Sequence, residues 1–335
     1  MSARLVVESL VKSVVILGFL LTAFAYMTLY ERRLVGRVQV RYGPNRVGPG
    51  GLLQPLADGV KLAFKQAITP RGVDKPLYLL APVISVVTAI AAFAVIPVGP
   101  SRNIFGHRID FWLADFNIGL LYVLAMSSLG AYGIVLAGYA SNNKYSLLGG
   151  LRAAAQLISY ELALGLSLIG VLMLTGSLSL NDIVDHQAGT WFGFIPRWLI
   201  VVQPLAFVIY LISAIAETNR APFDLVEAEQ ELVGGYHTEY TGLRFALFFM
   251  AEYINMVTVS ALAATLFLGG WRGPFIGGPW WLLLKIALIL TFYVLLRATL
   301  PRLRYDQLMR LGWRVLLPLA LLNIALTAIG VVLVG

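Results

Sequence analysis

"NIGLLYVLAMSSLGAYGIVLAGY", residues 117–139, runs for 23 residues without a charged side chain. At 1.5 Å per residue a helix over it is roughly 34 Å long, slightly more than the ~30 Å hydrocarbon core of a bilayer. Working outward, comparable apolar runs fall at about 9–30 and 77–98 before it, and at 154–176, 196–216, 243–268, 279–299 and 314–334 after it. The whole chain is 59% hydrophobic and 13% charged, against roughly half and a quarter in soluble domains. These runs predict an all-α integral membrane protein of about eight transmembrane helices, organised as a single polytopic domain over residues 1–335. The first run is too long for a signal peptide and lacks a small-residue cleavage site, so it reads as a retained helix.

Orientation follows from where Lys and Arg fall. The loops after spans one, three, five and seven, with the span ends that flank them, hold 18 of the 25 basic residues, and the N-terminus and the loops after spans two, four and six, with their flanking span ends, hold 6. That bias places the loops at about 31–76, 140–153, 217–242 and 300–313 in the cytoplasm and both termini outside. The net charge of +8 is thereby a topology signal rather than a nucleic-acid-binding one. The chain has no cysteine and only three histidines, His107, His186 and His237, all in loops. It offers no iron–sulfur ligands, no credible pair of haem ligands and no metal site. If it takes part in redox chemistry, the electrons come from a partner.

The longest cytoplasmic connection has internal structure. "YERRLVGRVQVRYGPNRVGPGG" is basic and rich in turn formers, and its glycines lack the context of a phosphate-binding motif. The following "LLQPLADGVKLAFKQA" puts Leu53, Leu56, Ala57, Val60 and Phe64 on one helical face and Asp58, Lys61 and Lys65 elsewhere. That pattern predicts an amphipathic helix on the cytoplasmic membrane surface.

Against this background the charges inside the spans stand out. Glu161, Glu252 and Lys285 each incur roughly 2.5–3.5 kcal/mol at mid-bilayer on insertion scales, so they are expected to face protein or a wet cavity. A structural Glu252–Lys285 pair is the plain reading. A proton relay fits better, because Glu161 and Glu252 lie at matching depth, about seven residues or 10 Å into their spans. A second concentration lies in "AETNRAPFDLVEAEQELVGGYHTEY", residues 216–240, which holds Glu217, Asp224, Glu227, Glu229, Glu231 and Glu239, six of 17 acids. Asp224 and Glu227 match a helix capping box. The other acids alternate with residues that favour burial, such as Phe223, Leu225, Val226 and Tyr236, which suggests a wet crevice between protein surfaces. A third cluster, "LLRATLPRLRYDQLMRLGWR", supplies Arg297, Arg302, Arg304 and Arg310, permanently charged donors suited to ordering carboxylates or polarising a carbonyl.

The segments "YERR", "RYGPNRVGP", "LADGVKL", "ISYELALGLSL", "AETNRAPFDLVEAEQELVGGYHTEY", "FFMAEY" and "PRLRYDQLM" occur in this order over essentially the whole chain. Together they resemble one family of membrane subunits of respiratory complex I, NADH:quinone oxidoreductase, the family of mitochondrial subunit one. The resemblance implies a non-redox subunit of a translocase that lines a quinone chamber and begins a chain of buried acids. It implies flavin and iron–sulfur clusters on partner subunits, quinone as substrate, and partners in the membrane arm and in the quinone module of the peripheral arm. The proton relay then maps to Glu161, Glu217, Asp224, Glu227, Glu229, Glu231, Glu239 and Glu252. The quinone chamber maps to Glu31, Arg32, Arg41, Arg46, Asp58, Lys61, Arg220, Phe249, Met250, Lys285, Arg297, Arg302 and Arg304. Where many family members carry an acid after "KLAFK" this chain has Gln66, which cannot titrate. A bacterial inner membrane is the implied location. Alternatives are the equivalent subunit of a membrane-bound hydrogenase or other-donor complex, and an autonomous proton-coupled transporter; the latter would need repeats that the chain does not show.

Overall fold

The structure, a computed structural model, describes residues 3–104, 107–191, 195–226, 231, 233–273 and 277–334. Its long elements are α1 (Ala3–Val38), α3 (Lys75–Phe93), α4 (Gly119–Ala140) and α5 (Lys144–Thr175). They continue with α9 (Leu243–Phe267), α10 (Pro279–Thr299) and α12 (Leu317–Val334). The shorter helices are α2 (Gln54–Phe64), α6 (Leu180–His186), α7 (Leu199–Val202), α8 (Pro204–Glu217) and α11 (Tyr305–Arg310). A π-helical turn, Leu311–Leu316, joins α11 to α12. Two antiparallel pairs, β1 (Gly99–Ile104) with β2 (His107–Phe111) and β3 (Thr190–Trp191) with β4 (Ile195–Pro196), sit in connections.

Among the described residues seven helices are long and apolar enough to cross a membrane. The remaining expected span, 196–216, is broken. Gln203 leaves helical geometry at φ −123°, ψ 51° and Pro204 opens α8. Proline has no N–H and disfavours a helical residue before it, which forces the break. Within the membrane such a break needs polar partners. Gln203, buried, donates to the Thr327 hydroxyl at 2.8 Å and accepts from the Asn323 amide at 2.9 Å.

Two boundaries differ from the sequence expectation. α1 continues to Val38, so Glu31, Arg32, Arg33 and Arg37 ride on a helix that outruns the bilayer rather than on a loop. Hydropathy cannot register this extension, because it is a polar helix. α5 begins at Lys144, ten residues before the apolar run, so Glu161 lies about 26 Å along it rather than the expected 10 Å.

Capping explains several ends. The Asp74 side chain accepts from the Leu77 amide at the start of α3, and Asn143 accepts from the Tyr145 amide at the start of α5. Gly176 closes α5 in the left-handed conformation, φ 69°, which glycine adopts without steric cost. α9 is the axis of the bundle, with most of its length from Phe248 to Phe267 buried. It packs against α3, α10, α1 and α8. α2 behaves as an amphipathic surface helix, with Leu56, Val60 and Phe64 exposed along one side.

Candidate functional site: a charged chamber joined to a buried passage

The end of α1, the 39–44 turn, α2, the start of α9 and the end of α10 enclose a cavity of about 1100 Å³. Phe24, Phe249, Met250 and Tyr253 supply apolar wall, and Glu31, Arg32, Arg41, Asp58, Lys61 and Arg297 supply charge. Mostly apolar lining with a few placed polar groups is the pattern of a small-molecule site.

Two charge clusters organise it. At the rim, Asp58 accepts from Arg32 Nη1 at 2.8 Å and from Lys61 Nζ and Gln54 Nε2 at 3.2 Å each. Partial burial opposes ionisation, but the bonds from Lys61 and Arg32 prevail and hold the Asp58 carboxyl below its ordinary value. At the inner end, Glu31 is 4% exposed and has three donors. These are the Tyr253 hydroxyl at 2.6 Å, Arg220 Nη1 at 3.1 Å, and Arg297.

Arg220 also reaches the other way. Its Nε lies 2.6 Å from a Glu252 carboxylate oxygen, and its guanidinium sits 4.3 Å from the centre of the Tyr253 ring. Burial works against the cation, but Glu252, Tyr253 and Glu31 outweigh it and raise the Arg220 pKa above the ordinary arginine value. Glu252 and Tyr253 are consecutive on α9 yet serve different spaces. Tyr253 lines the chamber, whereas Glu252 lines a second, internal passage with Ser85, Ser127, Glu217, Asn255 and Thr258. That passage holds about 60 Å³, enough for a few waters at ~10–15 Å³ each. Ser127 hydrogen-bonds Glu217, which is an electrostatic neighbour of Glu161, and Ser128 donates to Glu161.

The structure therefore gathers Glu217 and Glu252 on one passage, with Glu161 an electrostatic neighbour of Glu217, and Glu31, Arg32, Arg41, Asp58, Lys61, Phe249, Met250 and Arg297 around one cavity, with Arg220 between Glu31 and Glu252. Other expected members stand elsewhere. Asp224 pairs with Arg302 at 2.9 Å, Glu231 with Arg152 at 2.7 Å, and Glu239 accepts from Asn143 at 2.6 Å. Arg304 pairs with Asp306 at 3.2 Å, and Arg46 is exposed outside the cavity lining. Glu227 and Glu229 lie outside the described residues, and with them half of the expected capping box.

The Glu252–Lys285 pair does not form. Lys285 is buried near the opposite end of α10 from Arg297 and donates to the carbonyls of Leu268, Gly270 and Arg272 at 2.5–2.8 Å. It caps the C-terminal end of α9, where a cation meets unsatisfied carbonyls, and does not line the chamber.

Sequence reasoning missed Tyr253 and Gln156. Gln156 Nε2, buried, donates to the carbonyls of Ala216 at 2.8 Å and Phe223 at 2.9 Å, which pins the loop carrying Arg220. The available signal was a polar amide within an apolar span, the same signal that singled out Glu161.

A helical membrane protein with a large cavity beside buried carboxylates is the class this geometry defines. The chain belongs to the NADH dehydrogenase family, whose pattern matches residues 11–328. It is 59% identical over 329 residues to the NADH-quinone oxidoreductase H subunit of Thermomicrobium roseum, covering 97% of this chain and 96% of the relative. The protein of the same name from Deinococcus radiodurans is 54% identical over 333 residues, covering 96% and 82%. The first of two such subunits from Geobacter metallireducens is 54% identical over 318 residues, covering 95% and 94%.

Proposed function

We propose that this chain is the quinone-chamber subunit of a proton-pumping NADH:quinone oxidoreductase and that its buried carboxylates link quinone reduction to proton movement. The assembly lies in a bacterial inner membrane, with the 39–53 turn and α2 on the cytoplasmic side and both termini outside. NADH oxidation, flavin and iron–sulfur chemistry belong to partner subunits of the peripheral arm, and further subunits of the membrane arm carry the protons onward. The chain itself contributes an apolar route for the quinone tail, donors for its head group, and a register of charge.

One observation carries the reading: a single arginine, Arg220, holds a carboxylate of the chamber, Glu31, and a carboxylate of the passage, Glu252. Arginine keeps its proton, so Arg220 transmits charge rather than protons. Negative charge gained by a quinone near Arg297 and Glu31 competes for the same guanidinium. Drawing Arg220 toward the chamber leaves Glu252 under-neutralised and raises its demand for a proton from the passage. Two carboxylates about 6 Å apart at an effective dielectric near 20 repel by roughly 3 kcal/mol, so acids that share one passage hold protons jointly rather than singly.

The test is Arg220→Gln in the intact assembly, scored for quinone reductase rate, protons moved per electron, and reduction of an artificial acceptor upstream of quinone. The expected result is loss of most quinone-linked turnover and pumping with the upstream activity kept. Wild-type pumping in a correctly assembled Arg220→Gln complex would contradict the reading.

A further inference from the structure

At the ends of α9 and α10 opposite the chamber lies a separate pocket of about 450 Å³. Asp115, Asn181, Asp182, Asp185 and Arg272 contribute its polar lining, and Trp112 and Trp271 contribute aromatic wall. Three carboxylates against one guanidinium leave it acidic. Asn181 and Asp185 stand four residues apart on α6, with Asp182 between them, so the three share one side of that helix.

Two atoms of this lining are buried and have no hydrogen-bond partner, Asn181 Oδ1 and Arg272 Nε. Asn181 is only 9% exposed. A buried amide oxygen without a donor is costly, so Asn181 is set for a donor that the chain does not supply. The neighbouring acids hold capacity in reserve. Asp182 accepts from Ser177 at 2.8 Å and Asp185 accepts from Arg272, each through one carboxylate oxygen. A carboxylate has two accepting oxygens, so each keeps one for a ligand.

The frame is fastened through the backbone. Lys285 donates to the carbonyls of Leu268, Gly270 and Arg272, which pins the turn carrying Trp271 and Arg272. Gln187 Nε2 donates to the Thr265 carbonyl at 3.0 Å and the Leu266 carbonyl at 3.3 Å. That ties the end of α6 to the end of α9, so the acids and the tryptophan are held together before a ligand arrives.

An open amide oxygen, spare carboxylate oxygens and indole walls describe a site for a cation. Among the described residues no three acids or histidines come close enough together to hold a metal ion. An organic ammonium fits better, because it donates to spaced acceptors and is drawn to tryptophan faces. Height indicates where it comes from. Asp115 lies four residues before α4, Asn181 six after α5, Trp271 four after α9 and Gly277 two before α10. The pocket thereby sits at the level of the lipid headgroups, where tryptophans gather. Arg272 Nε adds a donor for an anion beside the acids. An ammonium and an anion a few bonds apart are the two charges of an ethanolamine phospholipid headgroup.

We propose that this pocket binds the headgroup of an ethanolamine phospholipid, its primary ammonium on Asn181, Asp182 and Asp185 and its phosphodiester on Arg272. The proposal stands apart from the quinone reading, since none of these residues lines the chamber or the passage.

The experiment photolabels the purified intact assembly in detergent with a phosphatidylethanolamine that carries a diazirine near the glycerol end of one acyl chain. Mass spectrometry should place label in α6 or in the turn between α9 and α10. Unlabelled dioleoylphosphatidylethanolamine should reduce that label several-fold. Equimolar dioleoylphosphatidylcholine, whose ammonium has no N–H to donate, should reduce it far less. Asn181→Leu should lower the label several-fold, whereas Asn181→Asp keeps an acceptor in place and should retain it. Label confined to other segments, equal competition by the choline lipid, or equal loss in both Asn181 variants would overturn the proposal. So would label indifferent to Asn181→Leu. Displacement by free ethanolamine or spermidine as effective as that by the lipid would assign the pocket to a soluble amine and likewise overturn it.

Discussion

At the scale of single residues, the charges around Glu31 work by geometry as much as by sign. Arg297 meets Glu31 through one guanidinium nitrogen and keeps further donors for a ligand in the chamber, an arrangement a lysine ammonium does not reproduce. Arg297→Lys is expected to lower quinone reductase activity at least about tenfold, equivalent to ~1.4 kcal/mol, while electron transfer to an upstream acceptor survives. Equal loss of both activities would indicate failed assembly instead. Asp58 gives a pH-dependent counterpart. Its folded-state pKa is depressed below 3.8, so its bonds to Lys61 and Arg32 contribute stability above that value and lose it as pH falls through the lower, folded value. Asp58→Asn should lower the melting temperature by a constant amount near neutrality, and the gap to wild type should close only below pH 3.8. A gap that closes between about pH 5 and 7 would assign the effect to another group.

At the scale of elements, the span with the clearest interruption carries its own prediction. The helix break at Gln203–Pro204 is satisfied by Asn323 and Thr327 from α12, and Gly170 of α5 leaves no room for a Cβ beside either amide (2.9 Å and 3.0 Å). Asn323→Leu should strand the Gln203 carbonyl in a dry site, at about 1–3 kcal/mol, visible as a lower melting temperature with quinone KM unchanged. A raised KM with unchanged melting would mean that α7 and α8 report to the chamber. The apolar runs made most spans legible because length and charge alone decide insertion. The rest was hidden for specific reasons. "VVQP" contains the helix break, yet a hydropathy window averages over it. The extension of α1 through "ERRLVGRV" is polar, and its helicity depends on packing against α2 and α9 that no window sees. Lys285 looked like a partner for Glu252 because both are charges in spans. Its actual partners are backbone carbonyls of a turn, which carry no sequence signature. Glu31 and Arg220 are 189 residues apart, and only the resemblance, not periodicity, put them in one site.

At the scale of the whole molecule, two spaces share one arginine, and the acids sort accordingly. Glu217 and Glu252 line the passage and Glu161 is an electrostatic neighbour of Glu217, while Glu231 is paired at the surface, where ion pairs contribute little. Glu231→Gln should accordingly leave pumping within about twofold of wild type, whereas the passage acids should not tolerate neutralisation. Orientation is open to direct labelling, because the chain has no cysteine. Single cysteines at Asn45 and Gln307 should react from the cytoplasmic side of sealed vesicles and one at Asp185 from the other side; the reverse pattern would invert the arrangement. The central claim, that buried carboxylates couple quinone chemistry to proton movement, is tested most directly at Glu161. Glu161→Gln keeps the shape and the bond from Ser128 but removes one titrating site. Proton pumping and quinone reductase rate of the assembled complex in vesicles should both fall to a small fraction of wild type, with Glu161→Asp keeping a substantial part. If Glu161→Gln pumps and turns over like wild type, Glu161 is structural and the relay does not run through it.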